Sequence, residues 1–297
     1  MIEFIKDVIR FRWLVIMLVI VSFIGSVIFA FITPNEFKAE AMLVPANDDS
    51  QSSMGLGSQL GGLASLAGIS AGNSANDKVG LAKELLNDWY FVDSFINENG
   101  MKADILAAQG WDGATNKLLY DNDVYDSNTK SWKSDGDKSL EPTDWLAFNE
   151  FRKMVVFEPR KDSPVIMASL KYYSPDMAAI WLNSLIAAIN KKIQSIDIEE
   201  TQLSIKYLES KIEQTDLVEL KDVFYELMQQ QIKTLMLAEI RNEYVLKKVG
   251  PIKTPESKFK PKRMVVVFLG SILGLLLALM LIAARPMLID LRHKLRT

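Results

Sequence analysis

WLVIMLVIVSFIGSVIFAFI, residues Trp13 to Ile32, holds twenty residues and no charge. At a rise of about 1.5 Å per residue, a helix of that length crosses a hydrocarbon core about 30 Å thick. A helix is also the single-segment structure that satisfies its own backbone hydrogen bonds there. A second run, MVVVFLGSILGLLLALMLIAA from Met264 to Ala284, repeats the pattern with twenty-one uncharged residues. A secretory signal usually has an apolar region of only about 7–15 residues and a small-residue cleavage site. The first run exceeds that length and shows no clear A-x-A site, and the second is too long for an uncharged core helix. The expected division is 1–12 cytoplasmic segment, 13–32 first transmembrane helix, 33–263 outer domain, 264–284 second transmembrane helix and 285–297 cytoplasmic tail. With so few residues outside the spans, no cytoplasmic catalytic domain is expected.

The flanks orient the chain. Lys6, Arg10 and Arg12 face Glu3 and Asp7 before the first run, while Arg285, Arg292, Lys294 and Arg296 face Asp290 after the second. Short basic flanks stay in the cytoplasm, which predicts both termini inside and residues 33–263 in the periplasm. Lys258, Lys260, Lys262 and Arg263 crowd the opposite end of the second run, but long loops translocate largely regardless of charge. Residues 13–284 carry 27 basic and 34 acidic side chains, and this acidic balance argues against a nucleic-acid partner. There is no cysteine, so thiolate metal sites and cysteine catalysis are excluded.

Beyond Thr33-Pro34, FKAEAMLV alternates Phe37, Ala39, Ala41 and Leu43 against polar or outward residues, a strand closed by Pro45. Residues 55–72 (GLGSQLGGLASLAGISAG) place Leu56, Leu60, Leu63 and Leu66 at helical spacing among six glycines. They read equally as a mobile loop or as a self-association segment. Asp77 to Asn97 predicts one amphipathic helix with Leu81, Leu85, Trp89, Val92 and Ile96 on its apolar face. Residues 109–144 are polar and turn-rich, and Asp121-Asn122-Asp123 within them reads as a solvated turn rather than a D-x-D metal motif.

Met154 to Phe157 and Val165 to Tyr173 predict two further strands. Ser174-Pro175-Asp176 is a helix start: a capping hydroxyl, proline at the first position and an acid at the positive end. Asn183 and Asn190 share a face of that helix, either as polar surface or as residues that fix packing register. From Ile198 to Lys248 no glycine or proline interrupts. Asp216 with Glu219 predicts a capping box and a split near Thr215. A second helix from Leu217 to Lys248 would be about 48 Å long, with Leu220, Phe224, Leu227, Met228, Ile232 and Leu235 on its apolar face. Helices of this length must project or pair with neighbours.

Gly250-Pro251 is expected to stop the last helix, and Pro251, Pro255 and Pro261 then form a stiff membrane-proximal spacer. In the second span Gly270, Gly274 and Ala278 make a small-residue stripe, matched by Ser22 and Ser26 in the first. Such stripes allow close approach of helix backbones, here to the other span or to a polymerase. The fold class expected is α+β: two transmembrane helices flanking a periplasmic α/β base with long extended helices.

The chain resembles the chain-length determinant (Wzz) family of polysaccharide co-polymerases from Gram-negative inner membranes. The likeness is carried by FKAEAMLVP, GGLASLAGIS, Ser174-Pro175-Asp176 with Ala178, Ala179, Trp181 and Asn183, Tyr207-Leu208, and PIKTPESKFKPKR entering a glycine-containing last span. The resemblance implies a ring-like homo-oligomer that sets how many repeat units a membrane polymerase adds to O-antigen or a related glycan. The expected partners are therefore further copies of the chain, an O-antigen-type polymerase and a lipid-linked glycan. Larger relatives carry or pair with a kinase. This sequence has no G-x-x-x-x-G-K-[ST] loop, so it resembles the kinase-free type.

Three classes of function compete. The only histidine is His293, and no G-x-S-x-G or H-E-x-x-H motif occurs, so no enzyme, metal or cofactor site is expected. A two-span sensor needs an output module that the short flanks cannot hold. A structural assembly factor anchored at both ends accounts for the long helices and the packing stripes.

Overall fold

The computed structural model describes residues 12–46, 75–136, 138–161 and 163–294. In chain order these form α1 (Arg12–Ile32), β1 (Phe37–Pro45), α2 (Ala75–Leu85), α3 (Trp89–Glu98) and α4 (Lys102–Leu106). Three short antiparallel hairpins follow: β2 (Ala108–Asp112) with β3 (Lys117–Tyr120), β4 (Tyr125–Asp126) with β5 (Ser131–Trp132), and β6 (Ser134–Asp135) with β7 (Lys138–Ser139). The chain continues through α5 (Asp144–Met154), β8 (Val155–Pro159), β9 (Ile166–Tyr172), α6 (Pro175–Gln214), α7 (Val218–Ile240), β10 (Leu246–Lys248) and α8 (Arg263–Lys294). It is a mixed helix-and-sheet structure with a long apolar helix near each end. The stretches Val15–Ile32 of α1 and Arg263–Ile282 of α8 are long and apolar enough to cross a membrane. Helical backbone in α8 continues past Ala284, where the second span was expected to end, to Lys294.

The core sheet is antiparallel with order β10-β1-β9-β8. Alternation in β1 buries Ala39, Ala41 and Leu43 and turns Glu40 and Met42 outward. The small side chains on the inward face let α6 lie close across β1 and β9. In α6, Ala178, Leu182, Leu185, Ile186, Ile189 and Ile193 are buried at helical spacing. Trp181 stacks on Tyr172 with centroids 4.3 Å apart. Phe91, Val92, Phe95 and Ile96 of α3 meet Phe148 and Phe151 of α5 within the same core.

Four expectations require correction. The single helix predicted over Asp77–Asn97 is two, because Asp88 adopts extended backbone and its carboxylate accepts the N–H of Phe91 at 2.7 Å, capping α3. Residues 109–144 are not simply turns: they form the three hairpins and open α5. The helix predicted from Leu217 to Lys248 ends at Ile240, and the chain turns to place β10 on the sheet edge, so Gly250-Pro251 follows a strand rather than stopping a helix. The split near Thr215 occurs, but Leu217 is the N-cap and no side-chain bond caps α7, so the Asp216–Glu219 capping box is not formed. The Leu56–Leu66 segment lies outside the described residues.

Candidate functional site: the helix seam, the junction and the arm

α1 and α8 pack along their length, and the small residues lie on the seam. A Cβ added at Gly270 would stand 2.4 Å from Ser26 Cβ, and one at Gly274 would stand 2.5 Å from Ser22 Cβ. Ser22 Oγ donates to the Gly270 carbonyl at 2.7 Å, while Ser26 Oγ donates within its own helix to Phe23 O at 2.8 Å. Ala278 is fully buried, as is Ala30 at the other end of the seam. Gly270, Gly274, Ala278, Ser22 and Ser26 thus pack helix against helix. The residues around them, including Phe268, Leu269, Leu273 and Leu276, are exposed.

Where the two apolar helices meet the sheet, the segment ahead of α8 is stitched to the segment after α1. Glu36 N–H donates to Lys260 O at 2.9 Å, and Glu36 O accepts from the N–H groups of Phe259 and Lys260 at 2.7 and 3.2 Å. Pro251, Pro255 and Pro261 lie in the irregular chain between β10 and α8, which fits a segment with few backbone donors. The Phe259 ring lies 5.3 Å from the ammonium groups of both Lys38 and Lys171. Nothing in the spacing of the sequence marked Phe259 or Glu36, because the bridge joins positions more than two hundred residues apart.

The arm is the distal part of α6 folded back against α7. Its return to the sheet is fixed by Asn190, which is 2 % exposed. The Asn190 side-chain oxygen accepts from the N–H groups of Val245 and Leu246, both at 2.8 Å, and its amide donates to Leu246 O at 2.9 Å. Of the two roles left open for this asparagine, the register role holds. Asn183, on the same face, accepts from Lys248 Nζ at 2.9 Å at the surface. Gln194 donates to the carbonyls of Ala238 and Arg241, satisfying oxygens at the end of α7 that the helix leaves free. These two α6 side chains are the local reason why α7 stops at Ile240.

Beside them, Asp197 accepts from Tyr244 Oη at 2.6 Å and pairs with Lys78 Nζ at 2.9 Å, tying α2 to the arm's base. Burial, with the Asp197 carboxylate next, pushes the Tyr244 hydroxyl up to about 12. A second polar cluster lies under the hairpins. Tyr120 Oη donates to Asp104 at 2.6 Å and Tyr172 Oη to the Asp104 carbonyl at 2.7 Å. Burial raises the Asp104 carboxyl, partly offset by the Tyr120 hydrogen bond. Asp121 binds its own turn, accepting from Asp123 N–H at 2.9 Å and Gln109 at 2.8 Å. Among the described residues, no group of three or more histidine, aspartate or glutamate side chains is placed to hold a metal ion.

The arm is apolar on its outside. Leu217, Val218, Tyr225, Met236 and Ile240 are each at least half exposed, as are Leu203 and Tyr207 of α6. An open groove of about 270 Å³ runs between the arm helices, lined by Leu203, Tyr207, Leu208, Leu227 and Gln231. Of the α7 face expected to be apolar, Phe224, Leu227, Met228 and Leu235 are half-buried, while Leu220 and Ile232 are exposed.

A family model, "Wzz: Chain length determinant protein", matches residues 1–86. That stretch spans α1, β1 and α2. It includes FKAEAMLVP and GGLASLAGIS but not the Ser174 or proline-rich motifs. Two solved structures are similar. A "full-length bacterial polysaccharide co-polymerase" is 11% identical, over 98% of both chains, with a TM-score of 0.39. A "Fragment of WzzB, Polysaccharide Co-polymerase from Salmonella Typhimurium" is 12% identical, over 76% of this chain and 100% of that one, with a TM-score of 0.32. No sequence among curated proteins matches the chain. The resemblance first seen in the sequence is borne out over residues 1–86, the stretch that matches the chain length determinant model.

Proposed function

We propose that the protein regulates the length of a cell-surface polysaccharide, of the O-antigen or lipopolysaccharide type, as a homo-oligomeric scaffold beside a membrane polymerase rather than as an enzyme. The match of residues 1–86 to the chain length determinant family carries this reading. In it, α1 and α8 span the Gram-negative inner membrane over 13–32 and 264–284. Both termini are cytoplasmic, and residues 33–263 form a periplasmic base and arm. The lipid-linked glycan being extended would pass close to this assembly. Two features support a scaffold. The arm shows more apolar surface than its own hairpin covers, which suits contact with neighbouring copies. The spans also hold each other through a serine–glycine seam that fixes the base over the membrane.

The test is the glycan ladder on a gel from cells lacking the gene and from the same cells complemented with it. A clustered modal length that disappears on deletion and returns on complementation is expected. An unchanged ladder would refute the assignment.

A further inference from the structure

The basic residues at the outer end of α8 run against the usual charge bias of membrane helices and play no part in the seam or the arm. Lys258, Lys260 and Lys262 are exposed, and none of them forms an ion pair with a described residue. The bridge between Glu36 and Lys260 brings this run beside the exit of α1. Two more cations join it from the sheet. Lys38 and Lys171 are direct cross-strand partners in the β1–β9 register, so two like charges stand on one face. Such pairing is destabilising by itself. Lys38 is partly compensated by Glu40 at 2.7 Å, whereas both ammonium groups converge on Phe259. Arg263, first residue of α8, stacks its guanidinium 4.6 Å over the Phe31 ring near the end of α1. Its Nε is buried without a hydrogen-bond partner. Six cations thus surround the level at which both apolar helices emerge. The acids nearest them in the sequence are Glu36, Glu40 and Glu256, of which Glu40 alone is ion-paired among the described residues.

We propose that Lys38, Lys171, Lys258, Lys260, Lys262 and Arg263 form a docking surface for the phosphate headgroups of anionic bilayer lipids. The location selects the partner. These side chains sit where hydrocarbon gives way to headgroups, and lysine stems can lie along apolar surface while the ammonium groups reach phosphate. The α8 N-terminus adds its partial positive charge at the same level. A phosphate between Lys38 and Lys171 relieves their repulsion. The surface holds the base flush against the membrane at the point where the two spans are joined. This inference rests on the reading of α1 and α8 as membrane spans.

The test uses the full chain in non-ionic detergent, with lipid retention read by native mass spectrometry. Phosphatidylglycerol, phosphatidylcholine, a polyprenyl phosphate and inorganic pyrophosphate are added separately. Phosphatidylglycerol should be retained well above phosphatidylcholine. The Lys258→Gln/Lys260→Gln/Lys262→Gln variant should lose that preference by tenfold or more, given about fivefold per lysine near an anionic surface. Lys38→Gln/Lys171→Gln should also retain less phosphatidylglycerol, yet melt no lower than the parent without lipid, since it removes a repulsion. Equal retention of the two bilayer lipids, or unchanged preference in a folded variant, overturns the proposal. So does retention of polyprenyl phosphate or pyrophosphate in place of phosphatidylglycerol, which would assign the surface to a glycan carrier. Alkaline carbonate extraction of membranes examines the spans separately. A chain released by carbonate refutes the spanning reading and the surface built on it. A carbonate-resistant chain without lipid preference refutes the headgroup surface alone.

Discussion

Gly270→Ala adds one methyl group where the structure leaves no room. The new Cβ would lie 2.4 Å from Ser26 Cβ and 2.8 Å from its Oγ, against an ordinary carbon–carbon contact of about 3.5–4.0 Å. The helices must separate by roughly an ångström at that level. Overpacking of this kind costs about 1–3 kcal/mol. Stretching the Ser22–Gly270 hydrogen bond removes roughly 0.6 kcal/mol more, the average for such bonds between membrane helices. Alanine's better helix propensity returns about 0.8–1 kcal/mol, leaving a net loss of about 0.6–2.8 kcal/mol. Gly25→Ala isolates that propensity, because nothing lies within 4 Å of the Cβ it would add, and it should be neutral or slightly stabilising. Ser26→Gly removes both clashing atoms, so the Gly270→Ala/Ser26→Gly pair should regain most of the loss, with a coupling of about 1 kcal/mol or more. The assay is SDS titration from non-ionic micelles, followed by pyrene excimer emission from Met17→Cys and Met280→Cys. Both positions are exposed, and the chain has no other cysteine. If Gly270→Ala tracks Gly25→Ala, or if Ser26→Gly brings no rescue, the seam does not hold the spans in this way.

Asn190→Leu strands two buried N–H groups and one carbonyl, and should lower stability to urea by about 2–4 kcal/mol, while Asn183→Ala at the surface should cost under about 0.5 kcal/mol. Asp104 has its carboxyl raised above the usual 3.8 in the folded state, so its contribution to stability is fully present below that pH and is lost as pH rises through the folded value. Asp104→Asn removes that loss, so thermal melts should show the variant gaining on the parent at neutral pH and the gap closing toward about pH 4. Static light scattering of the detergent-solubilised protein should give a mass several times the 33.5 kDa chain, and a monodisperse monomer in several mild detergents would contradict oligomerisation through the arm. Ser134→Cys should react with a membrane-impermeant thiol reagent in outer-membrane-permeabilised cells and Thr297→Cys should not; the reverse pattern refutes the orientation.

What could be read from the sequence was what repeats locally. Period two in FKAEAMLV gave β1, and absence of charge gave both apolar helices. Ser174-Pro175 gave the start of α6, whose hydroxyl accepts the Met177 N–H. The small-residue stripes were visible because glycine and serine at four-residue spacing leave few other readings in an apolar helix. What was missed depended on partners distant in the chain. The end of α7 is set by Gln194 and Asn190 on another helix, and helix propensity through Lys248 gave no hint of it. The break at Asp88 was a case of one capping carboxylate outweighing an apolar periodicity that ran straight through it. The hairpins between Ala108 and Ser139 have strands of two to five residues, too short for alternation to appear. The bridge from Glu36 to Lys260 left no trace in either neighbourhood.

Asn190 marks where the arm begins and ends at once. From Lys191 to Gln214 the outgoing helix has about 24 residues, and the returning α7 has 23. At 1.5 Å per residue, both legs measure about 35 Å from the clamp to the turn. Because the legs are equal and meet the base at one asparagine, their length is separable from everything below it. Seven residues inserted into each leg would lengthen the arm by about 10 Å and rotate its tip by only about 20°. The base, the seam and the strand register would be unchanged. The reach of this protein is thus a quantity that paired insertions or deletions can alter in steps, without renegotiating the rest of the fold.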